Sequence, residues 1–168
     1  IKSRLLNLIG KSETKIYARN CEIREVDTKE SLKFLQSNHL QGKLGAKIKL
    51  GLYYKEQLVS LMTFGELRKN LGSDKKEGVF ELLRFCNKLN TNVVGGASRL
   101  LKYFENNFDY EEIISYADRR WSNGNLYEKL NFNLISKSKP NYFYTKGEIR
   151  EYRFKYRKDI LVSEGHDK

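Results

Sequence analysis

The sequence predicts an α/β protein with a mixed, mostly antiparallel central sheet and helices on both faces. Short runs rich in β-branched and aromatic residues recur along the chain, and such runs are typical of strands. Between them lie segments with apolar residues at helical spacing. The strand-like runs form a hairpin early in the chain, whereas a helix joins two of them in the middle. Such an arrangement favours a mixed sheet with both faces covered.

The first elements follow from local patterns. Residues 2–9 form an amphipathic helix that Gly10 ends, and residues 21–26 alternate like a half-buried strand. Asp27 and Glu30 then form a capping box for a helix that extends to about residue 37. Residues 38–45 are polar and contain glycine, which predicts a loop.

The middle of the chain contains most of the predicted sheet. Residues 48–54 and 57–64 are strands of one hairpin, and residues 65–78 form a long charged loop. Residues 79–86, VFELLRFC, form a buried strand interrupted by the charge of Arg84. Residues 97–107 have apolar residues at helical spacing and predict the crossover helix.

The remaining elements are shorter. Residues 113–117 predict a strand and residues 124–130 a short helix. Residues 132–135 and 142–144 are expected to pair as closing antiparallel strands, with Pro140 in their connection. We therefore expect a linker helix over 1–20, a main domain over 21–147 and a basic extension over 148–168. The chain starts in a helical pattern, so we expect it to be part of a longer protein.

The charge of the chain predicts a polyanionic partner. The formal net charge is +11 over 168 residues, which attracts nucleic acid through its long-range field and counterion release. A basic surface that serves solubility alone is the alternative. Two cysteines and two histidines without a CxxC pair do not suggest a metal site. No apolar run has the length of a membrane span, and we expect a reducing, cytoplasmic location.

A glycine-containing turn follows the buried strand. It comprises Val94, Gly95, Gly96, Ala97 and Ser98 and opens into the helix. Glycines let backbone N–H groups turn toward a ligand, and a helix N-terminus attracts anions. A pyrophosphate fits this arrangement, although a turn that only packs the helix on the sheet would have the same sequence.

Tyr127 lies on the predicted short helix in NGNLYEKLNF. Leu126 and Leu130 face the core at i,i+4 spacing, so Tyr127 lies beside the apolar stripe and its hydroxyl can reach a cleft. A phenol can protonate a leaving thiolate. A partly buried structural tyrosine is the alternative.

These two segments resemble the acyl-CoA loop and the tyrosine-bearing helix of the GNAT superfamily of acyl-CoA N-acyltransferases. The matching residues are GGASRLL (95–101) and, about thirty residues later, LYEKLNF. The resemblance covers roughly residues 21–144. It implies a GNAT-like fold, acetyl-CoA or a related acyl-CoA held on the glycine loop, and Tyr127 as the general acid.

A narrower pattern resembles the Mom-type DNA modification proteins of phages. Its matched residues, in chain order, are Asn38 with His39, Arg84, Ala97 with Ser98, Asp118 and Tyr127. This resemblance implies transfer of a small acyl-derived group to a base amine in DNA. Sequences of this type also resemble C-terminal modules of phage homing-endonuclease-like proteins, which implies an upstream nuclease domain as a further partner.

The chemistry of the matched residues is consistent with these roles. His39 or Asp118 could accept the proton of an attacking amine. A partly buried Arg84 needs a partner, and Asp118 at a strand end could provide it. Each role has a simpler alternative. His39 could be a surface histidine, Arg84 and Asp118 could form a structural ion pair, and Ser98 could cap the helix.

Two basic segments are candidates for nucleic-acid binding. Arg119, Arg120 and Trp121 combine phosphate-binding groups with a stacking surface. Arg153, Lys155 and Arg157 lie in a second basic stretch, for which a solvated edge strand is the alternative. The sequence leaves three functions open: a DNA-modifying acyltransferase, an inactive GNAT-like DNA-binding module, and an acetyltransferase of proteins or small molecules.

Overall fold

A computed structural model describes residues 2–67, 76–119, 121–137 and 142–165. The chain divides into two units, residues 1–132 and 133–168. The elements of the first unit are α1 (Lys2–Leu8), β1 (Thr14–Tyr17), β2 (Glu22–Glu25), α2 (Thr28–Asn38), β3 (Ile48–Tyr54), β4 (Gln57–Gly65), β5 (Val79–Asn87), β6 (Thr91–Val94), α3 (Gly96–Asn107), β7 (Glu112–Ser115) and α4 (Asn125–Lys129). Those of the second unit are β8 (Phe143–Lys146), β9 (Ile149–Tyr152) and α5 (Lys158–Ser163).

The main sheet of the first unit is mixed, as predicted. Its strand order is β2-β3-β4-β5-β7 among the described residues. The pairs from β2 to β5 are antiparallel, and β5 pairs with β7 in parallel. Lys55 and Glu56 both have positive φ, which closes the β3–β4 hairpin with the twist that two-residue hairpins favour.

Helices cover opposite faces of this sheet. Met62 and Phe64 of β4 pack in the cluster that contains Leu100 and Phe104 of α3, and the rings of Phe64 and Phe104 stack at 3.9 Å. Their neighbour Leu61 packs instead with Leu35 of α2. Because successive side chains of a strand point to opposite faces, α2 and α3 lie on different sides of β4. The predicted fold class is therefore confirmed.

The pairing of β5 with β7 ends before β5 does. Paired residues run from Val79 with Glu112 to Leu82 with Ser115, whereas β5 continues to Asn87. The ladder stops at Leu82 because β7 itself ends at its partner Ser115. The chain then forms β6, which pairs in parallel with β1 outside the main sheet, and enters the crossover helix α3.

The predicted pairing of residues 132–135 with 142–144 is wrong. Residues 133–137 form no strand, and β8 pairs antiparallel with β9 instead. The turn between them contains Gly147 with a φ of 59°, which a glycine adopts without strain. The sequence analysis missed this glycine turn and therefore chose a more distant partner.

The sequence analysis also missed β1 and β6. Each has four residues, too few for a clear alternation pattern, and they stabilise each other through the register from Thr14 with Thr91 to Tyr17 with Val94. Much of the predicted charged loop (68–75) and of the connection around Pro140 (138–141) lies outside the described residues. Of the described helices, none has the length and apolar character that a membrane crossing requires.

Candidate active site

The glycine turn joins β6 to α3. Gly95 is the N-terminal cap of α3 with a φ of 77°, in the left-handed region that favours glycine. Gly96 is favoured for a different reason, since it is buried and has little space for a side chain. A Cβ there would lie 3.2 Å from Val93 Cγ1 and 3.5 Å from Leu52 Cδ1. The first amide N–H groups of a helix have no acceptor within it. The N–H groups of Gly96, Ala97 and Ser98 are therefore suited to bind an anion.

A cavity of about 760 Å³ lies beside this turn, and we call it the basic cavity. Four cationic side chains and one carboxylate line it: Arg19, Arg99, Lys102, Lys129 and Glu105. The other lining residues are Tyr17, Ala18, Val94, Gly95, Ser98, Leu101, Leu130 and Asn131. The glycine turn and the end of α4, the helix that carries Tyr127, therefore border one cavity. The sequence analysis missed the four cations, which come from three distant segments of the chain.

Tyr127 contacts the end of the ladder between β5 and β7. Its hydroxyl oxygen is 3.0 Å from Ser115 Oγ, and Ser115 Oγ is 2.9 Å from the Leu82 carbonyl oxygen. Because that carbonyl can only accept, Ser115 uses its single proton there, and Tyr127 donates to Ser115. The Tyr127 ring packs edge-on against Phe132, with centroids 5.6 Å apart. The last paired residues of the two strands thus hold the phenol in place.

A second group of polar residues follows α2 and β7, and we call it the Asp118 cluster: His39, Gln41 and Asp118. The Gln41 side-chain amide donates to Asp118 Oδ2 at 3.4 Å, and the Gln41 backbone N–H donates to His39 Nδ1 at 3.1 Å. Residue Gln41, which the sequence analysis did not consider, therefore brings two of the predicted catalytic residues together.

This arrangement distinguishes the two candidate bases. A neutral histidine whose Nδ1 accepts a hydrogen bond carries its proton on Nε2. In this tautomer His39 can donate through Nε2, whereas it must break its bond with Gln41 to accept a proton at Nδ1. The carboxylate of Asp118 has two oxygens that accept. Asp118 is therefore the better suited of the two to take a proton from an amine.

Arg84 lies on β5 just beyond the last residue paired with β7. It is half-buried, and its Nη1 donates to the Leu83 carbonyl at 2.9 Å. The ion pair with Asp118 stays a prediction. Glu81, which the sequence analysis passed over, lies on the same strand and is only 1% exposed. The strand beside the site thus contains two charged residues rather than one.

The predicted nucleic-acid residues occur in both units. Arg119 and Trp121 are exposed beside Asp118, whose carbonyl accepts from the backbone N–H of Trp121 at 2.9 Å. Arg120 lies outside the described residues.

In the second unit, the cations have internal contacts. The Arg153 guanidinium lies over the ring of Tyr142. Lys155 pairs with Glu151 at 3.3 Å, and Arg157 pairs with Asp159 at 3.0 Å. Exposed pairs of this kind are weak, so a phosphate could still displace the carboxylates.

Neither cysteine is suited to nucleophilic catalysis. Burial raises the pKa of Cys86 to about 12 and also raises the pKa of Cys21 above its ordinary value. Both thiols therefore stay protonated near neutral pH and are poor nucleophiles. Among the described residues, no three His, Cys, Asp or Glu side chains lie close enough together to hold a metal ion.

Comparison with known proteins gives both a family and a fold. The model of the Mom protein family matches residues 20–163. No curated relative matches the chain. Ribosomal-protein-alanine N-acetyltransferase from Brucella melitensis biovar Abortus 2308 superposes with a TM-score of 0.52 and 16% identity, covering 73% of this chain and 99% of that one.

Two further solved structures are similar to the same extent. A possible acetyltransferase from Clostridium difficile 630 has a TM-score of 0.52 and 11% identity, covering 75% of this chain and 99% of its own. An integron cassette protein from the mobile metagenome of V. cholerae has a TM-score of 0.52 and 12% identity, covering 77% of this chain and 94% of its own. At these identities the likeness shows the fold, which is that of the GNAT N-acetyltransferases.

Proposed function

Because this chain belongs to the Mom protein family, we propose that it is an acyl-CoA-dependent N-acyltransferase that modifies a base amine in DNA. The observation that carries this proposal is the position of Tyr127. Its phenol is held at the end of the β5–β7 ladder, on a helix whose end borders the basic cavity beside the glycine turn. Although Tyr127 itself does not line the cavity, this placement supports a site that combines a proton donor with an anion-binding turn.

The residues around the turn fit acetyl-CoA or a related acyl-CoA. The N–H groups of Gly96, Ala97 and Ser98 would bind its pyrophosphate, with Val94 and Gly95 forming the adjacent wall. The end of the β5–β7 ladder would leave room for its pantetheine arm. When bound, the cofactor supplies an acyl group activated as a thioester.

Tyr127 is the general acid of this proposal. The phenol donates to Ser115 in the structure and would turn this proton toward the leaving sulfur. Ser115 acts through Tyr127 and is a positioning residue, because it donates to Leu82 and so presents only its lone pairs to the phenol.

Asp118 is the general base, and Arg84 stabilises charge near the reacting groups. The exocyclic amine of a base is a weak nucleophile, so its proton must be removed as the new bond forms. The Gln41 amide donates to Asp118 Oδ2, and the carboxylate would accept the proton. His39 would contribute through its Nε2 proton as a hydrogen-bond donor.

Arg119, Arg120 and Trp121 would bind the DNA beside this base. A base within a duplex hides its amine, so it must leave the stack before reaction. The exposed indole of Trp121 offers a stacking surface, and Arg119 offers charge for the phosphates. In the second unit, Arg153, Lys155 and Arg157 are separate candidates for phosphate contacts.

Mass spectrometry of nucleosides from DNA of cells that express the protein tests the proposal. We expect a modified nucleoside that is absent from cells expressing Tyr127→Phe at the same level. DNA without any modified nucleoside, from cells in which the protein is soluble, would contradict the assignment. Binding of DNA without binding of acetyl-CoA, measured by gel shift and calorimetry, would instead support the inactive DNA-binding module.

A further inference from the structure

The basic cavity holds more positive charge than a pyrophosphate needs. Its lining contributes four cationic side chains against the single carboxylate of Glu105. The amides of the glycine turn already offer donors to a pyrophosphate. The cations of the cavity are therefore available for a second anion.

The cationic side chains of the cavity differ in the contacts that they make. The Arg99 guanidinium donates to the Ala18 carbonyl, so it joins α3 to the end of β1. Arg19 lies over the ring of Tyr17, 5.2 Å from its centroid. Lys102 Nζ is 3.8 Å from Glu105 Oε2, and the Lys102 side chain is 71% exposed. An exposed pair at this distance contributes little, so Lys102 can exchange Glu105 for a ligand.

The positions of these side chains separate the second anion from the first. Lys102 follows Ser98 by four residues, which is one helical turn or about 6 Å farther along α3. Arg19 approaches from the chain that follows β1, and Lys129 from the end of α4. Three cations from three segments of the chain thus line the cavity, and this charge suits a doubly charged phosphomonoester better than a neutral sugar.

We propose that Arg19, Lys102 and Lys129 form a subsite for the ribose 3′-phosphate of coenzyme A. This inference rests on the proposed function, because it assumes that coenzyme A occupies the basic cavity. The subsite makes the protein select coenzyme A over dephospho-coenzyme A, which lacks only that phosphate. Glu105 weakens the subsite, since it competes for Lys102.

Calorimetric titration with coenzyme A and with dephospho-coenzyme A tests the subsite. The wild-type protein should bind coenzyme A at least about ten-fold more tightly at low salt, because two charges are lost with the phosphate. Lys102→Gln and Lys129→Gln should each reduce this ratio, and together with Arg19→Gln should bring it near one. Glu105→Gln should increase it.

Lys33→Gln is the matched control. Lys33 is an exposed residue of α2, which lies on the other face of the sheet, so the ratio should not change. Thermal denaturation of each variant verifies that it is folded. Equal affinity of the wild-type protein for the two ligands would overturn the subsite and leave the proposed function intact. Failure to bind either ligand would overturn both.

Discussion

The basic cavity and the Asp118 cluster belong to the same unit but differ in charge and construction. The cavity is lined by α3, by the end of α4 and by the chain after β1, and its charge is positive. The Asp118 cluster lies on the chain after α2 and after β7 and includes a carboxylate. In the proposed mechanism the first region binds phosphates and the second accepts the proton of the amine, so anion binding and proton acceptance would be separate within the unit.

Tyr127 belongs to neither region and is the proposed general acid, so its removal should have the largest effect. Tyr127→Phe keeps the ring contact with Phe132 and removes the hydroxyl group with its acidic proton. Turnover should fall by about 100-fold or more, since general acids contribute at least that much, whereas affinity for coenzyme A and the melting temperature should change little. Tyr103→Phe on α3 is the control. A variant with full turnover would show that the proton comes from elsewhere.

Asp118→Asn should have the next largest effect. The asparagine oxygen can still accept from Gln41, so the cluster keeps its geometry while losing its base. Turnover should fall by about 10- to 100-fold. His39→Gln should reduce turnover less, because it leaves the carboxylate of Asp118 in place. The reverse order of the two variants would assign the base to His39.

Ser115→Ala tests whether the last paired residue of β7 positions the phenol. We expect turnover to fall by about ten-fold, with affinity for coenzyme A unchanged, because Tyr127 loses its acceptor but keeps its proton. Ser115→Thr retains a hydroxyl and suits a strand, so it should recover most of the activity. Equal activity of the Ala and Thr variants would contradict a role of the Ser115 hydroxyl in positioning Tyr127.

Arg119→Ala should have the smallest effect, and this effect should be on DNA binding alone. DNA affinity should fall several-fold for all sequences, and the slope of log affinity against log salt should decrease by about one. Coenzyme A affinity should stay the same because Arg119 is not part of the basic cavity. Lys33→Ala provides an exposed control. An unchanged salt slope would exclude a phosphate contact.

The elements with strong local patterns could be predicted almost to the residue. The strands β3, β4 and β5 and the helices α2 and α3 begin and end within one or two residues of their predicted bounds. Asp27 caps α2 as expected and accepts from the N–H groups of Lys29 and Glu30. The predicted reciprocal contact of the capping box is replaced, since the Glu30 carboxylate accepts from the Tyr53 hydroxyl at 2.7 Å.

The amino-acid sequence by itself determined the sheet class, the helix cap at Asp27 and the glycine turn at Gly95, because these depend on residues close together along the chain. Only the tertiary structure decided which distant residues meet. Ser115 contacts Leu82 and Tyr127, and Gln41 contacts Asp118, across separations of 12 to 77 residues. The four cations of the basic cavity come together in the same way. No local preference encodes such contacts, because they arise only when the packed sheet and its helices bring the segments into place.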